Sequence, residues 1–246
     1  MVLVERSVLM PSLKKIKKRK KPNSNSSEIQ KILISKKRKF QKRLLTWYEE
    51  YGRDLPWRRT GDPYKILVSE VMLQQTQVDR VIPKFHEFLK KYPTVRDLAE
   101  AQPEEVRKIW YPLGYNIRPY RLHGIACETM ERYGGSIPSK EEELLSMKGI
   151  GRYTAGAIQS FAFQKDAPIL DTNVMRVLHR IFIGTGDPKK QKSTLWLLAE
   201  KLIPKGKGYD FNQSLMDFGA MVCTARKPFC LLCPMRDICQ TVSSHE

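Results

Sequence analysis

The 246-residue sequence has no apolar run long enough to cross a membrane. Its opening, MVLVERSVLMP, is broken by Glu5 and Arg6 before the hydrophobic core of a signal peptide could form. It has five cysteines, an odd number without a secretory signal, which excludes a disulfide framework and points to a reducing, intracellular compartment. Alternating strand patterns and Asn-Gly hairpin turns are missing, which excludes a β architecture. Acids are scarce: 26 Asp and Glu face 44 Lys and Arg, a formal net charge of +18. An imbalance of that size calls for a polyanionic partner.

The charge is unevenly spread. Residues 1–40 hold 13 Lys or Arg against 2 acids, so 11 of the 18 net charges lie there. KKIKKRKKPNSNSSE is a like-charge block running into a Ser/Asn linker, and residues 1–38 read as a disordered basic tail. Such a tail serves as a non-specific phosphate-binding arm, or as a nuclear address in a eukaryotic cell.

From residue 39 the pattern is helical, with Phe40, Leu44, Leu45, Trp47 and Tyr48 near helical spacing in FQKRLLTWYEEYG. Thr94…Asp97 and Ser139…Glu142 have the form of capping boxes, and Pro103 stands where a helix tolerates proline in its first turn. The expectation is an all-α chain of about ten short helices.

Cys223, Cys230, Cys233 and Cys239 follow the spacing C-x6-C-x2-C-x5-C. Four thiols within 17 residues are a metal site rather than four separate core fillers, with structural zinc or a [4Fe–4S] cluster as the readings. Zinc sites usually bring two Cys-x2-Cys pairs to one ion, and only one such pair is present, so the spacing favours iron–sulfur. Arg226 and Lys227, in the six-residue gap, would be held outward as phosphate contacts. Cys127 stands apart as a small apolar filler.

In LLSMKGIGRYTAGAIQSF, Gly149 and Gly151 flank Ile150 between two helical segments. Such a turn is an ordinary interhelical connection or a phosphate-binding hairpin at a helix N-terminus; Lys148 and Arg152 beside it favour phosphate. Asp171, in PILDTNVMRVLHRIF, has the position of a helix cap. Glu70 lies among Ile66, Leu67, Val71, Met72 and Leu73, so its carboxylate either escapes to a polar face or is held in a pocket.

Together these segments resemble the helix–hairpin–helix DNA glycosylases of the endonuclease III superfamily, and within it the adenine glycosylase (MutY) branch. The resemblance runs from about Leu44 to Cys239 and is carried by PW (Pro56, Trp57), SEVMLQQTQV, LGY, GIGRYTAGAI, LDTNV, FNQSLMDFGAMVC and the cysteine quartet, in family order. It implies two helical lobes with a DNA cleft between them: a six-helix barrel carrying the hairpin (66–170), and a lobe joining the first helix (39–65) to the [4Fe–4S] segment (171–246). It implies base excision repair on double-stranded DNA by a monomer, with a mismatched or damaged base flipped into the cleft.

By the same resemblance Glu70 is the general acid that protonates a purine ring nitrogen. Asp171 is the carboxylate that stabilises the oxocarbenium ion, Gln75 a wedge, and Tyr115 an aromatic beside the opposing base. Bifunctional members carry a lysine at the position of Tyr153, which forms a Schiff base; tyrosine cannot, which implies a monofunctional enzyme, while QQTQV and Tyr115 resemble the branch that removes adenine opposite G or 8-oxoguanine. Two departures stand out. The chain ends seven residues after Cys239, where the branch usually continues into a Nudix-like domain that helps recognise 8-oxoguanine, and Asn116 replaces a common second tyrosine. A thymine/uracil glycosylase acting on G·T and G·U pairs is the alternative, since Tyr153 suits both. A non-catalytic DNA-binding module would need Glu70 at the surface and Asp171 as a cap only.

Overall fold

The computed structural model describes residues 24–114 and 117–243; Tyr115 and Asn116 lie outside the described residues, as do residues 1–23 of the basic tail. Among the described residues there is no strand, in agreement with the all-α expectation. Twelve α-helices follow one another among the described residues: α1 Ser24–Tyr51, α2 Pro63–Leu73, α3 Val78–Lys91, α4 Val95–Glu100, α5 Pro103–Trp110, α6 Ile117–Tyr133, α7 Glu141–Ser146, α8 Arg152–Phe161, α9 Thr172–Leu178, α10 Lys192–Leu202, α11 Gly208–Met221 and α12 Gln240–Ser243. A wider turn, His179–Ile183, prolongs α9.

Local chemistry starts several of these helices. Thr94 and Asp97 form the expected capping box on α4, and Pro103 is the first residue of α5. Ser139 does not cap α7, which starts one residue later than that box requires, with Lys140 at the cap. The Ser139 carbonyl is engaged instead by Gln159 Nε2 at 3.2 Å and by Lys165. The tail expectation also needs correction. Residues 24–38 are the first half of α1, because Glu28 to Arg43 contains neither Gly nor Pro and continues directly into the anchored turn at Phe40 and Leu44.

Two hydrophobic cores underlie two lobes. In one, Phe40 and Leu44 of α1 meet α9, α10 and α11, with Phe182 edge-on to Phe40 at 5.0 Å between centroids. Complete burial of Phe40 contributes about 2–3 kcal/mol. In the other, Trp57, Phe85, Phe88, Trp110 and Leu122 are enclosed by α2 to α8. The cores do not divide where the sequence placed the domain boundaries. Leu55, Trp57 and Tyr64 belong with the barrel, while Phe161, Ile169 and Leu170 belong with the cluster lobe.

Helices α2 and α8 serve both lobes. Ile66 faces the cluster lobe and Leu67 and Val68 the barrel; Ala157 and Phe161 face the one, Ala155 and Ile158 the other. A helix with core on two sides reads as apolar nearly all round, as α2 does. Glu70 and Tyr153 are carried by these two shared helices.

Candidate functional site

Between the lobes lies a cavity of about 840 Å³, lined by Glu70, Gln75, Tyr153 and Asp171 together with Arg53, Arg58, Trp57 and Gln213. Glu70 is 3% exposed, so it is no surface acid. Burial is the main reason its pKa is raised to about 7, and the nearby Asp171 charge pushes it the same way. The Tyr153 hydroxyl, hydrogen-bonded to it, and the Arg58 guanidinium oppose that rise. Tyr153 is itself pushed well above the usual phenol range by burial and by the two carboxylates, so it remains a donor.

Asp171 combines two roles that the sequence left as alternatives. It is the N-cap of α9, accepting from Val174 N–H at 2.7 Å, and it lines the cavity. Burial raises its pKa, while the N–H groups of Val174 and Asn173 favour its ionised form. The approach of α11 fixes this corner. At Gly219 a Cβ would lie 2.8 Å from the Asn173 Cβ, so only glycine admits the contact without a shift.

Two buried ionic centres, neither legible in the sequence, hold the cavity walls. Asp217 of α11 is fully buried and accepts from Arg53 Nη2 at 2.6 Å and from Arg58 Nη1 and Nη2 at 2.8 Å. Burial alone would raise its pKa, but these guanidinium bonds hold it below the usual carboxylate value. Arg118 of α6, 3% exposed, donates to the carbonyls of Val71, Met72, Gln74, Leu113 and Gly114 and to Thr76 Oγ1. It therefore satisfies the open C-terminal carbonyls of α2 and brackets Gln75, whose φ of 57° is a left-handed conformation disfavoured for a side chain. Arg118→Ala is expected to cost about 3 kcal/mol in urea unfolding, because several buried carbonyls lose their donor at once. A loss below 1 kcal/mol would show that water replaces it.

The remaining expected contacts lie elsewhere. Gly149 has φ 105°, and a Cβ there would sit 2.5 Å from Arg121 Cγ, so this turn requires glycine; Gly151 has ordinary φ and open space, and is the N-cap of α8. The Lys148 N–H donates to Glu128 at 3.1 Å, and Arg152 stacks on Trp196 with its guanidinium 4.0 Å from the ring centroid. None of these four lines the cavity, nor do the exposed Arg226 and Lys227. Lys189 and Lys192, which no sequence motif singled out, do line it and are exposed. Their only signal was the lysine-rich stretch GDPKKQK.

A second cavity, about 430 Å³, is lined by Cys223, Cys230, Cys233 and Cys239. Among the described residues no three Cys, His, Asp or Glu side chains are grouped so as to hold a single metal ion. The surroundings suit a negatively charged, thiolate-held cluster: Arg180 Nη1 lies 3.6 Å from Cys223 Sγ, and Met235 N–H donates to Cys233 Sγ at 3.4 Å. Without a metal, burial pushes the Cys233 thiol up to about 11. Bound there, a [4Fe–4S] cluster supplies four fixed attachment points for the loop. Cys127, as expected, lies apart, half-buried beside His123.

Known proteins match both parts of this arrangement. Residues 223–239 match the iron–sulfur binding domain of endonuclease III, so the quartet is a [4Fe–4S] site rather than a zinc site. The chain is 43% identical over 212 residues to the adenine DNA glycosylase of Homo sapiens, covering 82% of this chain and 39% of that one. It is 39% identical over 206 residues to the thymine-DNA glycosylase of Aeropyrum pernix, covering 81% and 92%. The structure of a thermostable thymine-DNA glycosylase superposes with a TM-score of 0.80 at 36% identity, over 86% of this chain and 99% of the other. The chain thus spans about two fifths of the length of the human relative and nearly all of the Aeropyrum one. Residues 68–203, which carry the hairpin, Glu70, Tyr153 and Asp171, match the family of HhH-GPD superfamily base excision DNA repair proteins, and to that family the chain belongs.

Proposed function

We propose that this chain is a monofunctional DNA N-glycosylase that removes adenine paired with guanine, or with 8-oxoguanine, in duplex DNA. The convergence of Glu70, from one shared helix, and Asp171, from the N-terminus of α9, on one interlobe cavity carries this reading. A cavity of about 840 Å³ is within the range of small-molecule sites and would receive the flipped nucleoside. Glu70, half protonated near neutrality, gives its proton to a ring nitrogen of adenine as the C1′–N9 electron pair leaves with the base. Asp171 faces the positive charge that develops on the sugar, and water then adds to C1′. With Tyr153 where an amine would be needed, no imine forms and the strand is left intact.

Three groups would hold the phosphates, the start of α8, the cysteine loop and the cleft rim, while Gln75 and Tyr115 would engage the bases. The N–H groups of α8's first turn have no side-chain cap, and Lys148, Gly149, Gly151 and Arg152 surround them. Arg226 and Lys227 extend from the cysteine loop, Gln75 enters as the wedge, and Tyr115 meets the opposite strand. Lys189 and Lys192 form the cluster-lobe rim of the cleft. Replacing both by Gln is expected to flatten the log–log salt dependence of duplex binding by about 1.8, at about 0.9 per lost phosphate contact. Lys190→Gln, whose side chain does not line the cleft, serves as the control, and an equal flattening there would count against the rim assignment.

A second reading, removal of thymine or uracil from G·T and G·U pairs, is favoured by one observation: the chain superposes on the structure of a thermostable thymine-DNA glycosylase with a TM-score of 0.80 at 36% identity. Single-turnover excision on A·G, A·8-oxoG, T·G and U·G duplexes, each with and without borohydride, decides between them. Adenine release, without trapping and with strand breaks only after alkali, is expected. Activity confined to T·G and U·G would install the second reading, and efficient trapping would overturn the monofunctional assignment.

A further inference from the structure

We propose that the basic first helix is a clamp that retains the iron–sulfur cluster: Lys36, Lys39 and Arg43 of α1 grip the Cys233–Cys239 arm of the cysteine loop. The inference rests on the iron–sulfur reading of the quartet and not on which base is excised.

The three cations stand at i, i+3 and i+7, on one face of a single helix. Lys36 Nζ donates to the Ile238 carbonyl at 2.8 Å, and Arg43 Nη1 to the Pro234 carbonyl at 2.7 Å. Asp237 lies between those carbonyls in sequence and accepts from Lys39 Nζ at 2.5 Å and from Arg43. Every contact therefore falls between two cysteine ligands, about 200 residues away along the chain. The other end of the loop is gripped in the same manner by α9 and the turn that prolongs it. Arg176 Nε donates to the Cys223 carbonyl at 2.8 Å, and Arg180 donates to the Thr224 carbonyl at 2.8 Å and the Ala225 carbonyl at 3.0 Å.

The loop has little else to hold it. Its regular structure is two short turns, Cys230–Leu232 and Arg236–Ile238, and its middle is open, with Leu231 81% and Leu232 87% exposed. On the Cys233–Cys239 arm Met235, Ile238 and Cys239 are buried. A single exposed ion pair stabilises little. Three side chains fixed on one helix, acting together on a carboxylate and two carbonyls, limit how far the arm can swing away from its sulfurs. Part of the N-terminal basic block thus has an internal acceptor rather than a phosphate. Lys37 and the exposed Arg38 lie off that face, and Arg38 remains available to DNA.

The test uses the full chain isolated with its cluster and challenged with an iron chelator, following the loss of the visible cluster absorbance and the iron released. Lys39→Gln with Arg43→Gln, and separately Asp237→Ala, are expected to lose the cluster at least threefold faster than the unmodified chain. The triple variant is expected to fall short of the product of the two effects, because both remove the same interaction. Asp237→Glu should restore retention. Lys37→Gln with Arg38→Gln, the same loss of charge off the clamp face, should stay within threefold of the unmodified chain, and far-UV dichroism should show α1 intact throughout. If a clamp variant arrives already depleted while the control pair arrives loaded, that difference in iron per chain supports the clamp equally. Loss within threefold for both clamp variants, or equally fast loss in the control pair, overturns the proposal.

Discussion

Glu70→Gln is expected to lower single-turnover release of adenine by about 10²–10⁴-fold while leaving duplex affinity unchanged, the usual contribution of a positioned general acid. Glutamine fills the same space beside Tyr153 and keeps a hydrogen bond, but it has no proton to give. Adenine leaves poorly unless a ring nitrogen is protonated, so the loss should be concentrated in the chemical step. The pH dependence supplies a second reading. Burial holds the Glu70 carboxyl near pH 7, so its proton is present below that value and absent above it. The rate for the unmodified chain should therefore fall tenfold per pH unit above about pH 7, and that limb should vanish in the variant.

Stability should move the other way. A carboxyl whose pKa is higher in the folded than in the unfolded chain stabilises the fold at low pH. That contribution disappears as pH rises through the folded value. A shift from 4.5 to about 7 corresponds to about 3 kcal/mol of burial cost for the charged form above pH 7. Glu70→Gln is thus expected to be more stable than the unmodified chain at pH 8, by up to about 3 kcal/mol, with the difference shrinking toward pH 5. A flat rate profile through pH 7, or a variant retaining a tenth of the activity, would remove Glu70 from the acid's role.

Asp171→Asn is expected to reduce excision of every base by about 10²–10³-fold, because the charge proposed to balance the oxocarbenium ion is gone. The N-cap does not suffer with it. Asparagine caps a helix about as well as aspartate, so Val174 keeps its acceptor, and because burial raises the Asp171 pKa the variant should be no less stable than the unmodified chain at neutral pH. Asp171→Ala removes cap and charge together and should cost about 1 kcal/mol more. The pair of variants thus separates two functions of one carboxylate that share the same atoms. Full activity in Asp171→Asn would show the residue to be a cap alone, and the mechanism would fall.

Much of this was legible in local chemistry. The capping box at Thr94 and Asp97, the helix-opening Pro103 and the left-handed Gly149 are each specified by a few neighbouring residues. The four cysteines declared a metal site by spacing alone, and an acid among the apolar residues of α2 marked Glu70. Ser139 shows the limit of such signals: the residue types were right, but the helix began one residue later and the serine's carbonyl went to Gln159 and Lys165.

Short-range periodicity and spacing thus specify the helical class and the cysteine quartet, and the resemblance singles out Glu70, Tyr153 and Asp171. What those residues face is settled only when the lobes pack. Packing buried Asp217 against Arg53 and Arg58, some 160 residues away, and set Arg118 under the end of α2. It drew Lys189 and Lys192 to the cleft and gave Lys36, Lys39 and Arg43 an acceptor in the cysteine loop. In the sequence these are ordinary surface charges, because no local pattern reports the sign or distance of a partner far along the chain. The energy of a charge is set by its desolvation and by that partner, and both exist only once the chain has closed on itself.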